Sequence, residues 1–151
     1  MKTRLFIVIA VLVGLGILGM VLVSTADAAT CSGTSCNDTD PSYTGCSNGS
    51  YSLTSRYIYR YNVDKRINET VARIDLRYSP SCKTKWARIQ NLTNPGTSLW
   101  VALRPNHWIY PTLYNMGWGW TFWTRQRYAP SSPMQACGIF ESGKEVCTDF
   151  R

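Results

Sequence analysis

At 151 residues and 17.0 kDa the chain has room for one domain, which excludes a multidomain enzyme. Six cysteines accompany one histidine, so no site can use two imidazoles, and 17% charged with 13% aromatic residues excludes the composition of a disordered chain. The formal charge of +7 is concentrated in the middle, where residues 43–136 hold 12 basic and 3 acidic side chains.

Lys2 and Arg4 precede an uninterrupted apolar run, residues 5–23, and then a small-residue exit, Ser24-Thr25-Ala26-Asp27-Ala28-Ala29. A basic start, an apolar stretch and small residues before a cleavage point predict a signal peptide over residues 1–28 and a mature domain over 29–151. The run is also long enough to span a bilayer, so a retained membrane anchor at 5–23 is the alternative. In both cases the domain is expected outside the cytoplasm, secreted or at the cell surface. The Gly14, Gly16 and Gly19 spacing imitates a dinucleotide fingerprint by letter, but it lies inside the apolar run and opens no βαβ unit. Without residues 1–28 the charge is +6, from 14 basic and 8 acidic residues.

Cys31, Cys36, Cys46, Cys82, Cys137 and Cys147 all lie in the mature part. An even number of cysteines in a small exported chain predicts a disulfide framework. There is no Cys-x-x-Cys pair and His107 stands alone, so the usual zinc spacings are missing, and neither a metal nor a cofactor is expected.

Beyond the apolar run the pattern has period two, with β-branched and aromatic residues between turn signals. Residues 57–61 predict a strand with Tyr57, Tyr59 and Tyr61 on one side. Residues 71–78 predict a second, with Ala72, Ile74, Leu76 and Tyr78 on one face and a solvent stripe of Arg73, Asp75 and Arg77 on the other. Ser79-Pro80-Ser81 ends it, because proline cannot donate to a ladder. Further strands are expected over 85–92, 98–103 and 118–124, separated by Asn94-Pro95-Gly96, Arg104-Pro105-Asn106 and a proline-rich loop at 129–133. Residues 137–147 predict a hairpin closed by the loop Glu141-Ser142-Gly143, with Gly143 in the left-handed conformation. Its register sets Gly138 opposite Val146 and Cys137 opposite Cys147, which makes 137–147 the best single disulfide. One of Cys31, Cys36 and Cys46 is expected to reach Cys82. The expected fold is all-β, a small antiparallel sandwich or barrel stapled by disulfides and preceded by an N-terminal hydrophobic signal helix.

Two cysteine motifs follow one another: Cys31-Ser-Gly-Thr-Ser-Cys36-Asn-Asp-Thr-Asp40-Pro41 with Gly45-Cys46, then Leu76-Arg-Tyr-Ser-Pro-Ser-Cys82-Lys-Thr-Lys-Trp86-Ala-Arg-Ile89. In this order they resemble a bacterial family of small exported proteins, mostly Gram-positive, catalogued as a domain of unknown function. The resemblance covers about residues 31–92. It implies a secreted or surface domain, sometimes attached to a membrane segment, and no catalytic residue. The tryptophan-dense region 108–123 and the 137–147 hairpin depart from the family pattern.

Nothing in the chain demands catalysis. His107 has no Gly-x-Ser-x-Gly elbow to serve, and with every cysteine oxidised there is no thiol nucleophile. Asp75 alternates with arginines that hold it ionised, which disqualifies it as a general acid. Glu69 reads as a turn residue. Asp38 and Asp40 read as turn formers or as oxygen ligands for a hard cation. Binding has more support. Trp118, Trp120 and Phe122 would share a core face, leaving Trp123 exposed beside Arg125 and Arg127, with Arg73 and Arg77 as further cations. An aromatic beside guanidinium groups suits a sugar or an anionic polymer. The expectation is a monomeric, non-enzymatic binding protein contacting an anionic cell-wall polymer or glycan, without specific nucleic-acid binding and touching membrane only through residues 5–23 if uncleaved. A small secreted hydrolase of envelope polymers, or an inhibitor or toxin with a protein partner, is the alternative. The sequons at Asn37, Asn48, Asn68 and Asn91 are read as ordinary loop residues.

Overall fold

The computed structural model describes residues 28–93, 96–106, 113–141 and 143–151. The expected signal helix and His107 lie outside the described residues. Among the described residues no helix is long and apolar enough to cross a membrane.

Among the described residues nine strands follow a 3-10 turn at Gly33–Cys36: β1 (Tyr51–Asn62), β2 (Ile67–Ser79), β3 (Thr84–Asn91), β4 (Ser98–Pro105), β5 (Leu113–Trp118), β6 (Thr121–Trp123), β7 (Arg127–Tyr128), β8 (Met134–Phe140) and β9 (Val146–Cys147). They form two antiparallel sheets, which makes the fold the expected all-β sandwich. The first sheet runs β1-β2-β3-β6, with β7 pairing further along β3, and the second runs β5-β4-β8-β9.

Period-two alternation decides which faces meet. Ile74, Leu76, Ala87 and Ile89 from the first sheet pack against Leu99, Val101, Leu103, Ala136 and Phe140 from the second. Gly138 lies where the two sheets pack tightly. A Cβ there would sit 3.0 Å from the Cδ1 atoms of both Ile74 and Ile89. Two bulges adjust β1 against β2. One lies between Ser52 and Thr54, where Leu53 turns onto the core, and the other lies at Ile58 and Tyr59.

The expected strand over 118–124 is two strands in different sheets. β5 pairs with β4 and β6 pairs with β3, so the chain crosses between sheets at Gly119, whose φ of 134° only glycine adopts readily. Trp118 and Trp120 therefore sit at a corner, 68% and 58% exposed, and only Phe122 of the expected trio packs on the core. The two-residue spacing of these aromatics runs through a break between two strands.

The bridges join Cys31 to Cys36, Cys46 to Cys82 and Cys137 to Cys147. Gly138 faces Val146 and Cys137 faces Cys147, with Cα atoms of the last pair 4.0 Å apart. The left-handed residue of this hairpin is Glu141, at φ 56°, and not Gly143. Cys36, Cys46 and Cys82 form a second small core with Ala29 and Cys31. Lys85 is buried, and burial lowers its pKa; its ammonium donates to the carbonyls of Ser132 and Arg151 at 2.8 and 2.9 Å, fastening the last residues under β3.

Candidate functional site

The outer face of the first sheet is read directly from strand register. Arg73, Asp75 and Arg77 of β2 stand between Tyr57, Ser55 and Ser52 of β1 and Gln90, Arg88 and Trp86 of β3. Arg88 in turn pairs with Trp123 of β6. The solvent stripe expected on β2 is therefore one row of a wider surface, and Asp75 within it is wholly buried.

Asp75 is covered because its neighbours converge on it. Its Oδ1 accepts from the Ser55 hydroxyl at 2.6 Å and from Arg73 Nε at 2.8 Å. Its Oδ2 accepts from Arg88 Nη2 at 2.6 Å and Nε at 3.1 Å. Burial pushes the Asp75 pKa up, but the Ser55 hydroxyl and the Arg88 and Arg73 guanidinium groups outweigh it, and the carboxyl titrates below its ordinary value. Both oxygens are occupied. Asp75 is a strut between two arginines and not an acid–base group.

Arg77 is placed differently. Its guanidinium donates to the Ser50 carbonyl and hydroxyl, each at 2.7 Å, and to the Ser52 hydroxyl at 3.1 Å. None of its partners among the described residues is a carboxylate. Burial, and after it the charge of Arg88, lowers the Arg77 pKa from the usual arginine value, and Asp75 offsets this only in part. Arginine stays protonated even so. A half-buried cation held by neutral oxygens is the electrostatic condition an anion would relieve.

A cavity of about 190 Å³ opens over this cation. Arg77, Arg88 and the buried Trp86 line it from the sheet, Trp123 lines it from β6, and Ser42 and Ser47 line it from the stapled N-terminal loop. That loop is held by the Cys46–Cys82 bridge and by Gln126. The fully buried Gln126 amide donates to the hydroxyls of Thr39 and Thr44, both at 2.9 Å, and accepts from Thr84 at 2.7 Å. The loop also takes up three predicted binding residues. Trp123 Nε1 donates to Asp40 at 3.1 Å, Arg125 donates to the Asp38 carbonyl at 2.6 Å, and Arg127 pairs with the Asp38 carboxylate at 3.1 Å. Trp123 is thus half-buried at the cavity, while Arg125 and Arg127 face Asp38 across the loop junction. Asp40 also accepts from the amides of Ser42 and Tyr43, the turn-forming role open to it from sequence.

The structure brings Arg73, Arg77 and Trp123 onto one face. Sequence reading missed Trp86, Arg88, Gln126 and the loop serines. Trp86 and Arg88 were within its reach, since they alternate with the core residues Ala87 and Ile89 on a strand expected to pair with β2. The serines carried no local signal.

Glu69, expected in a turn, lies in β2. It accepts from Asn62 at 3.0 Å and Lys65 at 2.7 Å, and these bonds lower its pKa. A larger cleft of about 400 Å³ lies between β1 and the β8–β9 hairpin, floored by Ile58, Val71, Phe140 and Val146. Arg60 spans it, paired with Glu141 at 2.9 Å and set over the Phe140 ring, so the Arg60 charge is already neutralised. The sulfurs of Cys31, Cys36, Cys46 and Cys82 lie within 4.8 Å of one another, but all four are consumed in disulfides.

Residues 34–107 match the family described as "Protein of unknown function (DUF2690)", as the resemblance to a domain of unknown function implied. The match includes the cavity's serines, Arg77, Trp86 and Arg88, and stops short of Trp123. No curated protein and no solved structure matches the chain.

Proposed function

We propose that this protein is an exported, non-enzymatic binding module that holds an anionic envelope polymer at the cavity over Arg77. The observation that carries the reading is the half-buried Arg77 guanidinium, bonded to neutral oxygens beneath a cavity lined by Trp123 and serine hydroxyls. The cavity is smaller than the 300–1,000 Å³ or so typical of drug-sized ligands, so it suits one acidic unit of a longer chain. Export is supported by the basic-apolar-small order of residues 1–28 and by three disulfides.

The hydrolase alternative loses its carboxylate, since both Asp75 oxygens are engaged by arginines and Ser55. A protein partner has one observation in its favour, the exposed corner formed by Trp118 and Trp120. The test is retention of the oxidised protein on purified envelope polymers at low and high salt, with Arg77→Gln, Trp123→Ala and the pair Trp118→Ser/Trp120→Ser. Binding that needs Arg77 and Trp123 supports the module. Retention lost in high salt yet indifferent to both reduces it to non-specific charge. Failure to bind any polymer, together with partner capture lost in the Trp118/Trp120 variant, moves the function to a protein partner.

A further inference from the structure

Past the cavity the outer face continues along β1. Tyr57 pairs with Arg73, Tyr59 with Thr70 and Tyr61 with Asn68, so three tyrosines follow Ser52 and Ser55 on the same side of the strand. They are 45%, 62% and 57% exposed. The register of β2 against β3 begins at Ala72, so residues 59–62 of β1 and 67–70 of β2 pair only with each other and project as a two-stranded ribbon. The other side of the ribbon is satisfied: Arg60 pairs with Glu141, and Glu69 bonds Asn62 and Lys65. On the tyrosine side the Tyr57 ring meets the Arg73 guanidinium at 6.0 Å, and Tyr59 and Tyr61 make no hydrogen bond or ring contact among the described residues.

We infer that Tyr57, Tyr59 and Tyr61 form a second binding stretch, continuous with the Arg77 cavity, on which successive sugar rings of a linear, sparsely charged acidic glycan lie. The inference rests on the cavity reading above. Alternate residues of a strand lie about 6.8 Å apart, and the path from Ser52 to Tyr61 runs roughly 30 Å, which only an extended chain can follow. Each tyrosine offers a flat apolar face with a hydroxyl at its rim, matching the apolar face and hydroxyl edge of a sugar ring. Charge decides against a nucleic-acid strand. Arg73, Arg77 and Arg88 set against Asp75 leave a net +2 along this face. A nucleic-acid strand carries a phosphate with every nucleotide and brings more negative charge to this path than the face neutralises. A glycan with neutral rings between its acidic units meets that balance.

The experiment measures affinity of the oxidised protein for polygalacturonate of graded methyl esterification, as trimers and as long chains. Poly(glycerol phosphate), which has no sugar rings, and a single-stranded oligonucleotide serve as further probes. Tyr59→Ser/Tyr61→Ser is expected to lower long-chain affinity about tenfold while leaving trimers and poly(glycerol phosphate) unchanged. Arg77→Gln is expected to weaken all acidic probes, and partly esterified chains are expected to bind more tightly than fully charged ones. Unchanged long-chain affinity in the tyrosine variant overturns the second stretch and leaves the cavity standing. No binding of any acidic probe by the parent protein overturns both. Tyrosine-dependent binding of the oligonucleotide without that of polygalacturonate overturns the glycan assignment.

Discussion

At one end of the first sheet's outer face, residues 37–50 fold over Trp86, Arg77 and Arg88, and the loop that walls the cavity is pinned by the Cys46–Cys82 bridge and the buried Gln126–Thr44 hydrogen bond. At the other end of the same face, Tyr59 and Tyr61 stand on a ribbon with nothing described above them. Both ends belong to the strand pair β1 and β2, yet order has different sources. The stapled end is shaped by contacts distant in sequence, such as Cys46 with Cys82 and Thr44 with Gln126. The ribbon is shaped by its own turn, where Asn62 accepts from the Lys65 amide and Arg66 closes the loop at φ 55°. A cavity needs fixed walls, whereas a track needs only a level row of side chains.

The largest expected effect breaks the stapled end. The Cys46–Cys82 bridge closes 36 residues. Its removal as Cys46→Ala/Cys82→Ala is expected to cost about 4 kcal/mol by chain entropy. The bridges separated by 10 and 5 residues come next in that order. Loop length gives them about 3 and 2 kcal/mol. Urea denaturation of the three double variants ranks them, and limited proteolysis should cut the first within residues 37–50. Equal losses for all three would show that the loop holds without its long bridge.

Asp75→Asn tests the centre, where the two ends meet. It leaves Arg73 and Arg88, whose side chains are 36% and 30% exposed, without their shared carboxylate. The expected loss is about 3 kcal/mol, the lower end for breaking a buried pair, because the guanidinium groups still reach water. The sign of the pH dependence follows from the lowered pKa. The folded protein binds fewer protons here than the unfolded chain, so this contribution is complete above about pH 4 and is lost as pH falls through the folded value. Acid denaturation of Asp75→Asn should lack that component, and a parallel acid profile in both proteins would refute the assignment.

The same contrast explains what could be read from the letters. The two faces of 71–78, the three tyrosines on one side of β1 and the Cys137–Cys147 register all depend on neighbours within one hairpin or on strict alternation, and each is as expected. The burial of Asp75 depends on Ser55 and Arg88 arriving from adjacent strands, which alternation within β2 does not convey. Trp118 and Trp120 mislead for the opposite reason, since their spacing imitates a strand across a crossover that the glycine between them permits. The loop serines acquire meaning only once Cys46 is tied to Cys82.

Gly138→Ala is the control that should harm both ends alike. Its new methyl would meet Ile74 and Ile89 at 3.0 Å between the sheets, where branched side chains have little room to yield. Overpacking of this kind is expected to cost about 2 kcal/mol. The denaturation midpoint should fall while the relative hydrogen-exchange protection of loop and ribbon stays as in the parent. A selective loss at one end would mean that the core does not couple them.

The smallest effect sharpens the comparison most. Tyr59→Ser/Tyr61→Ser removes two large rings, and because both are more than half exposed the stability change is expected to stay within about 0.5 kcal/mol. Amides of 59–62 and 67–70 should exchange faster than those of 72–79, since a two-stranded ribbon without a packed face is marginal in water. If the double substitution instead cost as much as a core change, the rings would be packing against chain outside the described residues and would be unavailable to a polymer. A small cost leaves two aromatic side chains that the fold does not need, in line with an Arg77 that pairs with no carboxylate among the described residues.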